Sequence, residues 1–334
     1  MRSPLPRRQR GIALLVALLT VALAVILIAG LLDHGELAYA RTRNALRGAQ
    51  ADSYAQGLEA YAALVLAKDW AQSRQFDANG DIWTLPLPPQ QVPGGEIAAT
   101  MRDLNGCFNL NNLGPTDAAR TAWLAMFRRL LNVEGIDPGL ADAVTDWLDT
   151  DQDITSNTGA EDDFYLALPA PYRTANRSFA HVSELRLVRG FDGEAYARLA
   201  PYLCALPVGS VLNINTASVP ILESLDPHIN QALAQRLWNN GHAQWQDLNT
   251  FSAQLTQQGL PPLDPALASQ IGVSSNYFMA RGQITLDDVP MTFYSLIQRN
   301  GGRIEVLERS RGSDEALTQA ALQDADAENS ALTR

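Results

Sequence analysis

The sequence predicts an α+β protein: an N-terminal membrane-spanning stem helix and an antiparallel sheet, the sheet interrupted by a large all-α insertion. Three observations carry this. No proline interrupts the chain between Pro6 and Pro86, and Ile12 to Leu32 is apolar apart from Thr20 and Gly30. Strand-like patterns occur in two separate places, near residues 82–110 and 276–308. Between them lies a series of capped helical segments.

The apolar run comes first. As a helix it is about 31 Å long, which matches a hydrocarbon core of about 30 Å. Arg2, Arg7, Arg8 and Arg10 precede it while Asp33 and Glu36 follow, so the positive-inside bias keeps the N-terminus cytoplasmic and sends the rest across. Gly11, between the basic leader and Ile12-Ala-Leu-Leu, resembles the site after which a prepilin peptidase cuts. A conventional signal peptide ending at Ala38-Tyr39-Ala40 is a rival, against which the apolar run is longer than the usual h-region. Arg7-Arg8 lacks the flanking residues of a twin-arginine signal. Residues 36–70 are rich in helix formers, and Leu58, Tyr61, Ala62, Val65 and Leu66 form an apolar stripe at helical spacing. A stem helix over 12–70, with 12–32 in the membrane, would be about 88 Å long.

After the turn-forming stretch Asp77 to Asp81, strands are expected at Ile82 to Leu85, Glu96 to Asp103 and Phe108 to Leu110, with Pro86 to Gly95 as a connection. The remaining strands are expected at Asn276 to Leu286, Met291 to Arg299 and Arg303 to Glu308, with turns at Asp287 to Pro290 and Asn300 to Gly302. Residues 33–112 and 276–310 would then form one α/β domain interrupted by 113–275. In that insertion Asp137-Pro138, Asp226-Pro227 and Asp264-Pro265 each place an acid before a proline at a helix start, and Ser183 and Thr216 are further caps. Trp123, Met126, Phe127, Leu130 and Leu131 have the spacing of a buried helix face. Residues 311–334 are polar, alanine-rich and acidic, and read as a disordered tail.

Loss of residues 1–11 would remove four arginines and no acid, moving the formal charge from −11 to −15. Such a chain repels phosphates and anionic surfaces, so nucleic acid is excluded as a partner, whereas hard cations suit it. The two cysteines, Cys107 and Cys204, either form one disulfide in an oxidising compartment or remain as buried thiols. With no C-x-x-C and scattered histidines (His34, His181, His228, His242), zinc has no support.

Asp149, Asp151 and Asp153 place three carboxylates at alternate positions, and Glu161, Asp162 and Asp163 add three after a Ser-Asn-Thr-Gly loop. Oxygen ligands at this density on an irregular segment suit Ca²⁺, which takes six to eight of them; the other reading is a solvated acidic loop. It is not an EF-hand, since Ile154 and Ala160 stand where Gly and Glu are required. The candidate ligands are Asp149, Asp151, Asp153, Glu161 and Asp162, with Asn176 as a further candidate on the following segment. Val211 to Ala217, two helices and Trp245 look like the start of a helix-hairpin-helix or SAM-like unit over about 208–272. Its link, Leu225-Asp-Pro-His-Ile229, has no glycine and carries an acid, which favours packing over DNA binding. No hydrolase, zincin, P-loop or dinucleotide-binding motif occurs, so no catalytic residues are expected.

Taken together, the basic leader ending at Gly11, the long stem, Asp103 to Leu113, Asp146-Trp-Leu-Asp149-Thr-Asp151 running to Glu161-Asp162, Ser183 to Arg186 and Leu212 to Thr216 resemble the K-type minor pseudopilins of the type II secretion system, the general secretion pathway protein K family. The resemblance spans Arg7 to about Glu308. It implies a pilin-like α+β domain with a helical insertion, at the tip of a periplasmic pseudopilus with minor pseudopilins I and J. There it would initiate or cap assembly of the major pseudopilin, meet secreted substrates or the secretin, and support export of folded proteins. It also implies an inner-membrane anchor, cleavage after Gly11 by prepilin peptidase, methylation of Ile12, and calcium in the insertion, carried onto the acids named above. Most pilins have Glu at the fifth mature position; here it is Val16. That glutamate is thought to pair with the N-terminal amine of the preceding subunit, and a first subunit has none, although any apolar residue also suits a span. The alternative from another class is a signal-anchored or secreted calcium-binding periplasmic enzyme.

Overall fold

The computed structural model describes residues 7–72, 76–115 and 118–312; residues 1–6 of the expected leader and 313–334 of the expected tail lie outside the described residues. The helix expected over 12–70 is α1, Arg7–Gln72, continuous over 66 residues. Among the described residues it is the one helix long and apolar enough to cross a membrane, and its apolar window is unburied. The chain divides into two compact units, the first ending at Gln56 and the second starting at Gly57. In the first, Thr20 and Thr42 donate their hydroxyls to the carbonyls of Ala17 and Ala38, 2.9 Å each, so these polar groups are satisfied within the helix.

The second unit contains the strands β1 (Leu87–Val92), β2 (Gly95–Asp103), β3 (Phe108–Asn109), β4 (Leu203–Cys204), β5 (Leu212–Asn213), β6 (Ile271–Gly272), β7 (Tyr277–Leu286), β8 (Val289–Asn300) and β9 (Arg303–Arg311). A five-stranded antiparallel sheet has the order β1-β2-β7-β8-β9, so β2 pairs directly with β7 across the whole intervening sequence. Period-two alternation divides its side chains. Phe278, Ala280 and Ile297 pack with Ala62, Leu66 and Trp83 on one face, and Tyr277, Met279 and Leu296 pack with Leu104, Cys204 and Leu206 on the other. Gly282 allows the helix to approach closely, since a Cβ there would stand 2.9 Å from Leu58 Cδ1. In the expected stripe, Leu58, Ala62 and Leu66 are buried, whereas Tyr61 is exposed.

The expected strands at both ends of the chain need correction in detail. Ile82–Thr84 is a 3-10 turn that drives Trp83 into the core, edge-on to Phe278 at 5.4 Å. The stretch read as a connection holds β1, an edge strand, where Pro88 and Pro89 are tolerated because one side needs no ladder partner. Strand β3 pairs in parallel with β4 instead of joining the large sheet. The β7–β8 turn is Asp287-Asp288, both with positive φ as a type I′ turn requires, and Pro290 lies within β8. Arg311, expected in the tail, completes β9.

The insertion carries α2 (Ala118–Val133), α3 (Ala141–Leu148), α4 (Asp162–Leu166), α5 (Gly193–Leu199), α6 (Val219–Ser224), α7 (Gln231–Trp238), α8 (Leu248–Gln257) and α9 (Pro265–Ala268). It is not wholly helical, because the short strands β4, β5 and β6 run through it. Asp137 and Asp264 cap as expected, accepting from Gly139 N and Ala266 N at 2.8 Å. Asp226 instead closes a turn on His228 N, and Asn230 caps α7 one turn later by accepting from Leu233 N. His181, two residues before Ser183, caps the 3-10 turn Val182–Leu187. Thr216 donates to Asp103, and α6 starts after Ser218. The stripe on α2 is buried as expected, with Phe108 stacked on Phe127 at 5.0 Å.

Buried asparagines join these parts by imitating peptide groups. Asn111 accepts from Phe179 N (2.7 Å) and donates to Phe179 O (3.0 Å) and Leu206 O (2.9 Å). Asn215 takes Trp245 in the same two-bond grip, and Asn109 and Asn112 hold segment 206–210. Asn105 accepts from Asn276 N and Tyr277 N at the start of β7 and donates to Val211 O beside β5. Asn111→Leu would leave three buried backbone groups unpaired. Each costs about 1–3 kcal/mol, so urea unfolding should show a loss of about 3 kcal/mol or more; a loss below about 1 kcal/mol would contradict this role.

Candidate metal centre

Helix α3 ends at Asp149, which is extended and closes the helix through its own N–H on Thr145 O. Twelve residues later Glu161, also extended, begins α4. The loop between them returns, so that oxygen atoms of Asp149, Asp151 and Glu161 lie within 4.8 Å of one another. Asn176, held in a left-handed conformation (φ 46°), donates its N–H to Trp147 O at 3.1 Å and turns Nδ2 toward Asp151 O at 3.5 Å. Four buried oxygens here have no hydrogen-bond partner: Asp149 Oδ1, Glu161 Oε1 and Oε2, and Asn176 Oδ1.

Burial disfavours charge on these acids, and they disfavour it on one another. Burial, then the charges of Asp146 and Asp149, pushes Glu161 up to about 7. Burial, then Asp151 and Asp146, raises Asp149 to about 6 despite Arg120, whose Nη2 lies 3.6 Å from Asp149 Oδ2. Glu161 is only 2% exposed, so a solvated acidic loop does not describe it. Unpartnered hard oxygens carrying this much negative charge fit Ca²⁺, whose irregular coordination accepts such donors. A second acidic group, Asp69, Asp77 and Asp81, already has its cation: the buried Arg299 donates to Asp69, Asp77 and Ser275 O.

Of the acids expected as ligands, Asp149, Asp151 and Glu161 come together, while two stand outside the group. Asp162 points elsewhere, accepting from Thr174 N (3.0 Å) and Oγ1 (2.9 Å) and pairing with Arg173 at 2.7 Å. Asp153 is exposed, and its backbone N–H donates to Asp151 Oδ1 at 2.9 Å. Sequence reading missed Asp142 and Asp146, whose side chains anchor the loop. Their signal was available, since acids at 142, 146 and 149 recur at helical spacing within an otherwise apolar helix. Cys107 and Cys204 are joined, with Cα atoms 5.9 Å apart, where β3 meets β4. Gly11, Ile12 and Val16 lie within the unbroken α1.

Two family models described as "Type II secretion system (T2SS), protein K" match residues 106–208 and 212–274, and the first contains the acidic loop and both cysteines. Type II secretion system protein K of Pseudomonas aeruginosa is 37% identical over 318 residues, covering 92% of this chain and 94% of its own. The namesake from Pectobacterium carotovorum is 35% identical over 326 residues, covering 91% and 97%. A crystal structure of the GspK-GspI-GspJ complex from the enterotoxigenic Escherichia coli type 2 secretion system superposes with a TM-score of 0.71 at 31% identity, covering 82% of this chain and 99% of that one. With this sequence likeness running through the stem, the sheet and the insertion alike, the chain belongs to the type II secretion system protein K family.

Proposed function

We propose that this chain, a minor pseudopilin by its family, forms the tip of a periplasmic pseudopilus with the I and J pseudopilins and starts or caps assembly of the major pseudopilin. From there it meets secreted substrates or the secretin during export across the outer membrane. The observation that carries the reading is the start of α1: a basic leader ends at Gly11, and the apolar span from Ile12 has Val16 at the fifth mature position. A subunit that inserts first has no preceding amine for a carboxylate to neutralise, and a carboxylate within hydrocarbon is costly. A partnership with I and J follows by analogy with the crystallised complex, of whose GspK this chain spans 99%. The arginines keep the N-terminus cytoplasmic and the bulk periplasmic. The calcium-binding enzyme alternative gains nothing from relatives that are named as secretion-system components, and we read the chain as non-catalytic. The SAM-like stretch over about 208–272 serves packing in this reading, because Arg129 of α2 donates to Ser224 O and Leu225 O and so occupies the end of α6.

Mass spectrometry of the mature protein tests the processing. A chain starting at Ile12 with one added methyl is expected, and a start at Arg41 would overturn the reading. Val16→Glu should still insert in the membrane but reduce pseudopilus initiation and secretion; unchanged secretion and pilus length would contradict the tip assignment.

In the same reading Ca²⁺ is held by Asp149, Asp151, Glu161 and Asn176, and bound calcium supplies the positive charge that the buried oxygens lack. Because Glu161 and Asp149 are raised to about 7 and 6, the ion-free folded chain keeps protons that the unfolded chain has lost. Stability in EDTA should therefore fall as pH rises from about 5 to 8. Calcium displaces those protons, so its affinity should rise over that window by about tenfold or more, and thermal melts in calcium should lose the decline. Calorimetric titration showing the same affinity at both ends of the window would contradict this, and Glu161→Gln should abolish binding.

A further inference from the structure

Asp146 is fully buried on the last turn of α3, three residues before Asp149, and it stands outside the group formed by Asp149, Asp151 and Glu161. Its carboxylate is taken up by the backbone of the loop that follows. Oδ1 accepts from Thr155 N at 3.2 Å and Oδ2 from Ala160 N at 2.9 Å. These two amides bracket a tight turn closed by Gly159 N on Ser156 O at 3.0 Å, and Ala160 immediately precedes Glu161. The backbone lies so close to this carboxylate that a Cβ on Gly159 would stand 2.1 Å from Asp146 Oδ2. Asp142 accepts from Ser156 Oγ at 2.6 Å and Arg189 donates to Gly159 O at 2.7 Å, so the turn is held elsewhere as well.

Resting on the calcium reading above, we propose that Asp146 is the positioning residue of the cation site, folding loop 150–160 back onto α3 before the ion arrives. Three carboxylates gathered within 4.8 Å repel one another, and in the ion-free protein that repulsion acts to open the loop. The charge of Asp146 adds to that repulsion, but its carboxylate holds two amides that flank the turn, and these hydrogen bonds keep the loop folded from outside the ligand group. Glu161 is thereby delivered, buried and unpartnered, beside Asp149 and Asp151. Groups that orient metal ligands without touching the metal typically change affinity by about 10–100-fold when altered.

The test uses the full-length protein in detergent. Calcium affinity by titration calorimetry, melting temperature in EDTA, and hydrogen exchange of the loop amides in EDTA are measured for the wild type, Asp146→Asn, Gly159→Ala and, as a remote core control, Leu255→Ala. The expected result is slow exchange at Thr155 and Ala160 in the ion-free wild type. Asp146→Asn and Gly159→Ala should bind calcium at least about tenfold more weakly, while Leu255→Ala lowers the melting temperature with unchanged affinity. If Asp146→Asn fails to fold, Gly159→Ala and the wild-type exchange data decide. Wild-type affinity in the variants, or unprotected amides at 155 and 160 in EDTA, would overturn the positioning role and leave the ion site standing. A wild type that binds no calcium would overturn both.

Discussion

Much of the second unit depends on asparagine side chains acting as pieces of backbone inside the protein. Irregular segments buried within the insertion have no ladder partners and must find other partners for their N–H and C=O groups, because burial removes water as an alternative. Residues 105–112 run from the end of β2 into the insertion, and asparagines at 105, 109, 111 and 112 meet that need on segments more than sixty residues away. Asn213 extends the pattern by donating to Asp77 O and to Ser275 Oγ, just before the central strand β7. The Cys107–Cys204 bond closes the same junction covalently. Over a loop of this size, the chain-entropy model assigns such a bond about 4–5 kcal/mol.

A second constraint is the neutralisation of buried acid, and the molecule meets it in two ways. Near the end of α1, Arg299 lies among acids at 69, 77 and 81 and against the rings of Trp70 and Phe278, so a side chain of the protein supplies the charge. Burial and the neighbouring Asp81 and Asp77 still raise Asp69 to about 6. At the end of α3, Arg120 lies 3.6 Å from Asp149 Oδ2, while Asp149 Oδ1 and both carboxylate oxygens of Glu161 are buried without a hydrogen-bond partner. The same physics thus yields a closed internal ion pair at one end of the unit and an acidic group with unpartnered buried oxygens in the insertion.

The large elements were legible in the sequence because their signals are local. Alternation placed β2, β7, β8 and β9, the proline-free run placed α1, and Asp137 and Asp264 announced their helices. What failed depended on partners distant in sequence. Strand β1 was hidden by Pro88 and Pro89, which disqualify a central strand but not an edge. Trp83 leaves a strand pattern for a 3-10 turn because the space between α1 and Phe278 takes an indole. The acidic loop was recognised as a cluster, but spacing alone could not separate Glu161 from Asp162. That separation comes from Thr174 and Arg173, which claim Asp162 from the next segment. Likewise Asp146 resembled an ordinary helix acid until Thr155 and Ala160 folded back onto it.

These constraints imply that the sheet and the insertion form one cooperative structure, welded by side chains standing in for backbone, in a member of the type II secretion system protein K family. Differential scanning calorimetry of the full-length chain tests this most directly. The account predicts that the sheet and the insertion unfold in a single transition whose calorimetric and van't Hoff enthalpies agree. Two resolved transitions, with the insertion melting while the sheet remains folded, would contradict it.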